Sequence, residues 1–280
     1  IQKLLASLLS IVIGLTVGAI VVAIVGLTKE NIGVKGMWDG IRLIFVGLLA
    51  NGRDAAGNLA WGFNPRAWGD LLFRAAPVVM TGLSVAVAFK TGLFNIGAAG
   101  QYCVGICASI YCALALGMGW VPCMILAAIA GALYGAIVGL LKSYCNVNEV
   151  ISGIMLNWIA LYLTNLILGK VKSPMSPYTL NLMGTNPSAK LPSLGLEKLF
   201  SDESSVTIAI PLAILFAVLV WFVMSKTRFG RQIYAVGGNA TAAHLSGINV
   251  DLITQCSFLL GGFVSTLTAI ILVSRLNSGQ

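Results

Sequence analysis

The chain has 280 residues, of which 58% are hydrophobic and only 9% charged, with a mean hydropathy of +0.93. A soluble domain carries about a quarter of its residues as charges, so this composition excludes one and predicts an all-α, polytopic helical membrane protein. The net charge of +8, from 17 Lys and Arg against 9 Asp and Glu, comes from bases at span ends, where they set orientation; a lipid bilayer is the expected surrounding, and nucleic acid is not an expected partner.

The first span is predicted at 4–27, long enough to cross a bilayer core, with Gly14 and Gly18 forming a small face for a neighbouring helix. Residues 28–70 read as a mixed connection. Within it, 41–50 is too short to span and suits an interfacial or re-entrant helix, and Trp38, Trp61 and Trp68 suit the headgroup zone. Further spans are predicted at 71–89, 93–118, 121–141, 150–168, 206–224 and 252–273, about seven in all within a single transmembrane domain over 1–280. Gly131, Gly135 and Gly139 repeat every fourth residue of the fourth span, a stripe read as close helix packing. Residues 169–205, with four prolines, read as a long extramembrane loop. A polar segment at 225–251 precedes the last span. The sequence opens on Ile1 rather than Met and stops at Gln280 just past an apolar run, as a C-terminally truncated fragment would. No cleavable signal peptide is evident.

Placing the N-terminus in the cytoplasm puts Lys3, Lys90, Lys142, Lys226, Arg228 and Arg231 on the inside. The short loop at Gly119 and Trp120, on the opposite face, then has no base. All nine carboxylates lie in loops or at span edges. An ion-coupled carrier commonly keeps an Asp or Glu within the membrane, so a proton relay loses weight, although backbone carbonyls could still bind sodium. The single His244 has no Ser or intramembrane Asp pair for proteolysis, so no catalytic residue is assigned. Cys103 and Cys107 share a helical face, but no His or carboxylate lies near enough in sequence to complete a metal site, and none is assigned. No G-x-x-x-x-G-K-[ST] loop is present. Any energy from ATP must therefore enter through another chain, and no cofactor is expected in this one.

Two stretches stand out. In FKTGLFNIGAAGQ (89–101), Asn95, Gln101, Gly92, Gly97 and Gly100 interrupt two apolar segments. Irregular backbone at membrane depth survives only where protein buries it or water lines it. The stretch is therefore either a candidate pathway element or a tight turn with a glycine-packed helix start. Asn157 adds a third neutral amide, which either lines the pathway or bonds a neighbouring helix. In GNATAAHLSGI (238–248), Asn239 or Thr241 caps a short helix that Gly247 ends. Ala242, Ala243 and Leu245 offer a small apolar surface beside Lys226, Arg228 and Arg231.

Three segments, RAAPVVMTGLSVAVAFKTGLFNIGAAGQ (74–101), VNEVISGIMLNWIALYL (147–163) and TRFGRQIYAVGGNATAAHLSGINV (227–250), resemble the branched-chain amino acid/simple sugar permease superfamily of ABC importers. Within it they are most similar to nucleoside-type permeases. The resemblance implies a bacterial inner-membrane subunit that forms the pathway for a nucleoside or related polar solute. The alternatives are a simple-sugar or branched-chain amino acid cargo, or an ion-coupled carrier. Implied partners are two ABC ATPase subunits holding the ATP, a second permease that is a copy or paralogue, and an external substrate-binding lipoprotein. Asn95, Gln101, Asn157, Gly92, Gly97 and Gly100 become candidate pathway residues, while Asn239, Ala242, Ala243, Gly247 and Ile248 become candidates to face the ATPase. Two departures stand out: Ala99 sits where relatives usually carry Glu, and relatives continue beyond the equivalent of Gln280.

Overall fold

The computed structural model describes residues 2–28, 33–53, 58–174, 179–200, 204–267 and 269. Among the described residues, six helices are long and apolar enough to cross a membrane: α1 (Gln2–Thr28), α3 (Pro65–Lys90), α4 (Ala98–Ala115), α5 (Trp120–Cys145), α6 (Glu149–Leu168) and α8 (Ala209–Lys226). Shorter helices are α2 (Gly33–Val46), α7 (Leu182–Thr185), α9 (Arg228–Gly238), α10 (Ala240–Leu245) and the apolar α11 (Val250–Thr266). The helical membrane architecture expected from composition is therefore present. Where the seventh span was expected, α11 covers most of it, and the predicted stretch 270–273 lies outside the described residues. The residues form two compact units, 1–71 with 200–204 and 72–199 with 205–280; α3 passes from the first to the second after Leu71.

In the first unit, α2 runs antiparallel against the C-terminal half of α1. A Cβ on Gly26 would lie 2.7 Å from Met37 Cβ, one on Gly40 would lie 3.0 Å from Val22 Cγ1, and one on Gly18 would lie 4.0 Å from Ile44 Cδ1. Glycine on both helices lets the backbones close up. The small-residue seam therefore runs through Gly18, Gly26 and Gly40, and Gly14 meets nothing within 4 Å. Residues read as connection contain two short strands as well, β1 (Ala50–Arg53) and β2 (Leu59–Trp61), paired antiparallel. Helix α3 starts at Pro65, six residues before the predicted Leu71. Asn64 caps it by accepting from Ala67 N (3.0 Å) and donates to Ala50 O (2.6 Å), and Pro65 takes the first helical position, where no N–H is needed.

In the second unit α5 is central, packed most closely on α11 and α4, with α6 against α4 and, less closely, α5. The glycine stripe of α5 forms the seam to α11. A Cβ on Gly131 would run into Thr266, one on Gly135 would lie 2.6 Å from Phe258 O, and one on Gly139 would lie 2.9 Å from Gln255 Cα. Gly262 answers from α11, where a side chain would strike the Gly131 carbonyl. The Tyr134 hydroxyl donates to Leu156 O (2.6 Å), tying α5 to α6. At the end where α4 turns into α5, the Asn186 amide donates to Ala113 O (2.9 Å) and Met118 O (2.8 Å) and closes that turn. At the other end, Asn148 caps α6 by accepting from Val150 N (2.8 Å), and Lys142 pairs with Glu149 at 2.8 Å.

Candidate functional site

The stretch 91–97 is not helical. Predicted to begin at Leu93, the next helix starts only at Ala98, because α3 ends in a glycine cap. Gly92 sits at φ +79°, Gly92 N donates to Phe89 O (3.1 Å) and Leu93 N reaches back to Ala88 O (3.0 Å). This pair of bonds with a left-handed residue is the Schellman ending, which glycine adopts without steric cost.

Beyond the cap the chain turns inward. Asn95 and Gln101 are 2% and 0% exposed and exchange two amide hydrogen bonds, each 3.2 Å, while Asn95 Nδ2 also donates to Ser84 Oγ at 3.4 Å. Space for this pair comes from glycines on two other helices. A Cβ on Gly135 would lie 3.2 Å from Gln101 Nε2, and one on Gly261 would lie 3.2 Å from Asn95 Nδ2. Side chains of α3 and α4 and backbone of α5 and α11 thus converge on one buried, internally paired amide node. A buried polar group is tolerable on these terms because leaving one amide without its partner costs about 1–3 kcal/mol.

Asn157 reaches the same turn from α6. Its Oδ1 accepts from Gly100 N (2.7 Å) and its Nδ2 donates to Ile96 O (3.1 Å), so one amide side chain grips both flanks of the turn. These bonds tie α6 to Ile96 and to the first turn of α4. Close approach is again by glycine. A Cβ on Gly100 would lie 2.7 Å from Asn157 Oδ1, and one on Gly97 would lie 3.5 Å from Gly153 Cα. Ala99, one residue from the clamp, is exposed. All six predicted pathway residues therefore belong to one turn and its clamp, with Asn95 and Gln101 facing protein.

The second predicted stretch forms α9 and α10. Spacing of small and apolar residues buries Gly230, Ile233 and Val236 along one side of α9, and Thr227 caps its start by accepting from Gly230 N (3.2 Å). Asn239 caps α10 by accepting from Ala242 N (3.0 Å), as its sequence position predicts. Gly247 ends it at φ +83°, with Gly247 N donating to His244 O (3.0 Å) and Ile248 N to Ala243 O (3.0 Å). This is the same Schellman ending. The motif brings the residue after the glycine onto the helix's last turn as an apolar contact. Accordingly Ala243 is buried and the half-buried Ile248 packs against the core. Every residue of α10 apart from Ala243 is exposed, Leu245 at 82%. Lys226, Arg228 and Arg231 are exposed nearby in sequence, and Lys226 lies 6.0 Å over the Trp221 ring.

Sequence reasoning missed how the two stretches meet. Near the end of α9, Gly237 is set against the end of α3, where a side chain would run into the Lys90 carbonyl and lie 3.1 Å from Gly92 N. Lys90 Nζ lies 5.4 Å over the Tyr234 ring beside this contact. A cavity of about 450 Å³ adjoins it, lined among others by Thr91, Gly92, Lys142, Gly237, Asn239 and Thr254. The available signal was the doubled glycine of YAVGGNA, directly before a cap residue.

Comparison with known proteins gives the chain a family. The family described as branched-chain amino acid transport system, permease component, matches residues 68–280. A guanosine ABC transporter permease of Bacillus subtilis (strain 168) is 33% identical over 267 residues, covering 93% of this chain and 69% of that protein. A nucleoside ABC transporter permease of Lactococcus lactis subsp. cremoris (strain MG1363) is 28% identical over 283 residues, covering 96% and 70%. A glucose ABC transporter permease of Haloferax volcanii is 34% identical over 215 residues, covering 72% of this chain and 55% of that one. No solved structure matches. The chain belongs to the family of branched-chain amino acid transport system permease components, as a transmembrane permease subunit of the ABC class.

Proposed function

We propose that this permease subunit imports a nucleoside or a closely related polar solute, with energy delivered by partner ATPase chains at α10. The observation that carries the coupling reading is Leu245, an 82% exposed apolar side chain on a helix capped at both ends. A capped helix is a rigid element, and an exposed Leu on its outer face is an anchor for a partner's groove. The nucleoside reading is supported by the names of two relatives that match nearly the whole chain. Turn 91–97 would then shape the pathway wall: Asn95 and Gln101 hold its buried side, Asn157 clamps it, and Gly92, Gly97 and Gly100 allow its bends. Asn239, Ala242 and Gly247 would set the coupling helix for the ATPase, with Ala243 and Ile248 fixing it from within. The assembly would contain two ATPases carrying ATP, a second permease and an external binding lipoprotein, in a bacterial inner membrane with the N-terminus in the cytoplasm.

The test is uptake of labelled guanosine into vesicles holding the assembled transporter. ATP-dependent uptake that unlabelled nucleosides compete away supports the reading. The glucose permease match favours a second reading, a sugar cargo, and competition by glucose but not by nucleosides would select it. Gly247→Arg, which places a side chain at a φ of +83° on the coupling helix, should abolish transport-linked ATP hydrolysis while membrane insertion stays intact. Normal coupling in that variant would remove the case for ATPase docking at α10.

A further inference from the structure

We propose that Gly237 is a positioning residue through which movement of α9 and α10 is transmitted to the turn 91–97. The inference rests on the reading of α10 as the ATPase-docking element and adds the route inward from it.

Two glycines carry the argument, seven residues apart on α9 and therefore close to one face of the helix. Gly230 is set against the end of α8, where a side chain would strike the Met224 carbonyl and lie 2.5 Å from Val223 O. Gly237 is set against the end of α3, where a side chain would strike the Lys90 carbonyl and lie 2.9 Å from Lys90 C. Helix α9 thus bridges the ends of two spanning helices, backbone to backbone at both points. Such contacts transmit displacement well, because no side-chain rotamer is available to absorb it. The second contact also reaches the turn itself. A Cβ on Gly92 would lie 3.4 Å from Gly237 Cα, and Gly92 is the left-handed residue that sets the direction of 93–97. Lys90 over Tyr234 adds a side-chain tie one helical turn before Gly237. Beside the joint, the cavity of about 450 Å³ leaves one flank free, so α9 and the turn have room to move together. Asn239, the cap of α10, lines that cavity and follows Gly237 by two residues.

The chain supplies its own control. The next residue, Gly238, also ends α9, has no positive φ, and a Cβ there would meet nothing within 4 Å. Gly237→Ala and Gly238→Ala make the same chemical change on adjacent positions of one helix end, and only the first enters the joint.

The experiment uses the assembled transporter in vesicles. It measures co-purification with the ATPase, basal ATP hydrolysis, cargo molecules moved per ATP, and hydrogen exchange of amides 91–97 with and without ATP. Gly237→Ala is expected to keep assembly and basal hydrolysis while cargo moved per ATP falls about tenfold, within the usual range of coupling between sites. ATP should change exchange at 91–97 in the parent and in Gly238→Ala but not in Gly237→Ala. Equal coupling in the two variants, or an unchanged exchange response in Gly237→Ala, would overturn the proposal. Should Gly237→Ala fail to assemble, the parent's own exchange decides: an ATP-dependent change at 91–97 supports the joint, and no change there overturns it. Absence of ATP-dependent uptake in the parent would instead remove the underlying transport reading, an outcome distinct from either.

Discussion

The turn at 91–97 and the end of α10 at 246–248 are built with one backbone device and placed in opposite surroundings. Each follows a Schellman ending on glycine, Gly92 at φ +79° and Gly247 at φ +83°. After Gly92 the chain goes inward, and each polar side chain it carries finds a protein partner: Asn95 with Gln101 and Ser84, and the flanking backbone with Asn157. After Gly247 the apolar Ile248 and Val250 pack against the core, while Leu245 on the preceding helical turn is left 82% exposed. A closed polar network has two states, paired or disrupted, and so holds its shape. An exposed Leu on a capped helix does nothing for the isolated chain and acquires a purpose only against another surface. On the proposed reading of α10, the difference separates the part that would hold geometry from the part that would receive force.

Perturbing the closed region should damage stability first. Gly100→Val forces a branched side chain to within 2.7 Å of Asn157 Oδ1 and 3.0 Å of its Cα, and overpacking of this kind should cost about 3 kcal/mol, read as a large fall in thermal unfolding temperature in detergent. Asn157→Leu leaves Gly100 N and Ile96 O without their partner and should cost about 2 kcal/mol in the same assay. Gln101→Met leaves Asn95 Oδ1 without its donor and should cost about 1–2 kcal/mol, while adding Asn95→Leu should recover part of it, since replacing both partners removes that desolvation penalty. No recovery in the double variant would show that the amides do more than satisfy one another. The open region should respond in the opposite way. Asn239→Ala should cost about 1 kcal/mol through the lost cap. Leu245→Ser should leave stability within about 0.5 kcal/mol and still reduce transport-linked ATP hydrolysis. A large destabilisation by Leu245→Ser would erase the distinction between the two regions.

Much of this was legible in the chain because bilayer length and backbone chemistry are local properties. Apolar runs located the spanning helices, and Asn239 and Gly247 announced the ends of α10. The start of α3 was also written locally, as Asn64 followed by Pro65, a cap and a first-turn proline, but hydropathy drew the boundary at Leu71. What stayed hidden depends on distant pairs. Asn157 lies 57 residues from Gly100 and 61 from Ile96, and nothing in its neighbours distinguishes a clamp from a cargo contact. The burial of Ala243 and the packing of Ile248 follow from the helix ending, which sets the side of α10 that faces the core. Of α2 only the part from residue 41 was read as helical, within an expected helix at 41–50, because its glycine seam with α1 is shared between two helices.

The account rests most directly on the source of energy for transport. Vesicles containing the assembled transporter should take up guanosine when supplied with ATP, and should continue after the proton gradient is collapsed. Uptake that persists with ATP depleted and stops when the gradient is collapsed would contradict it.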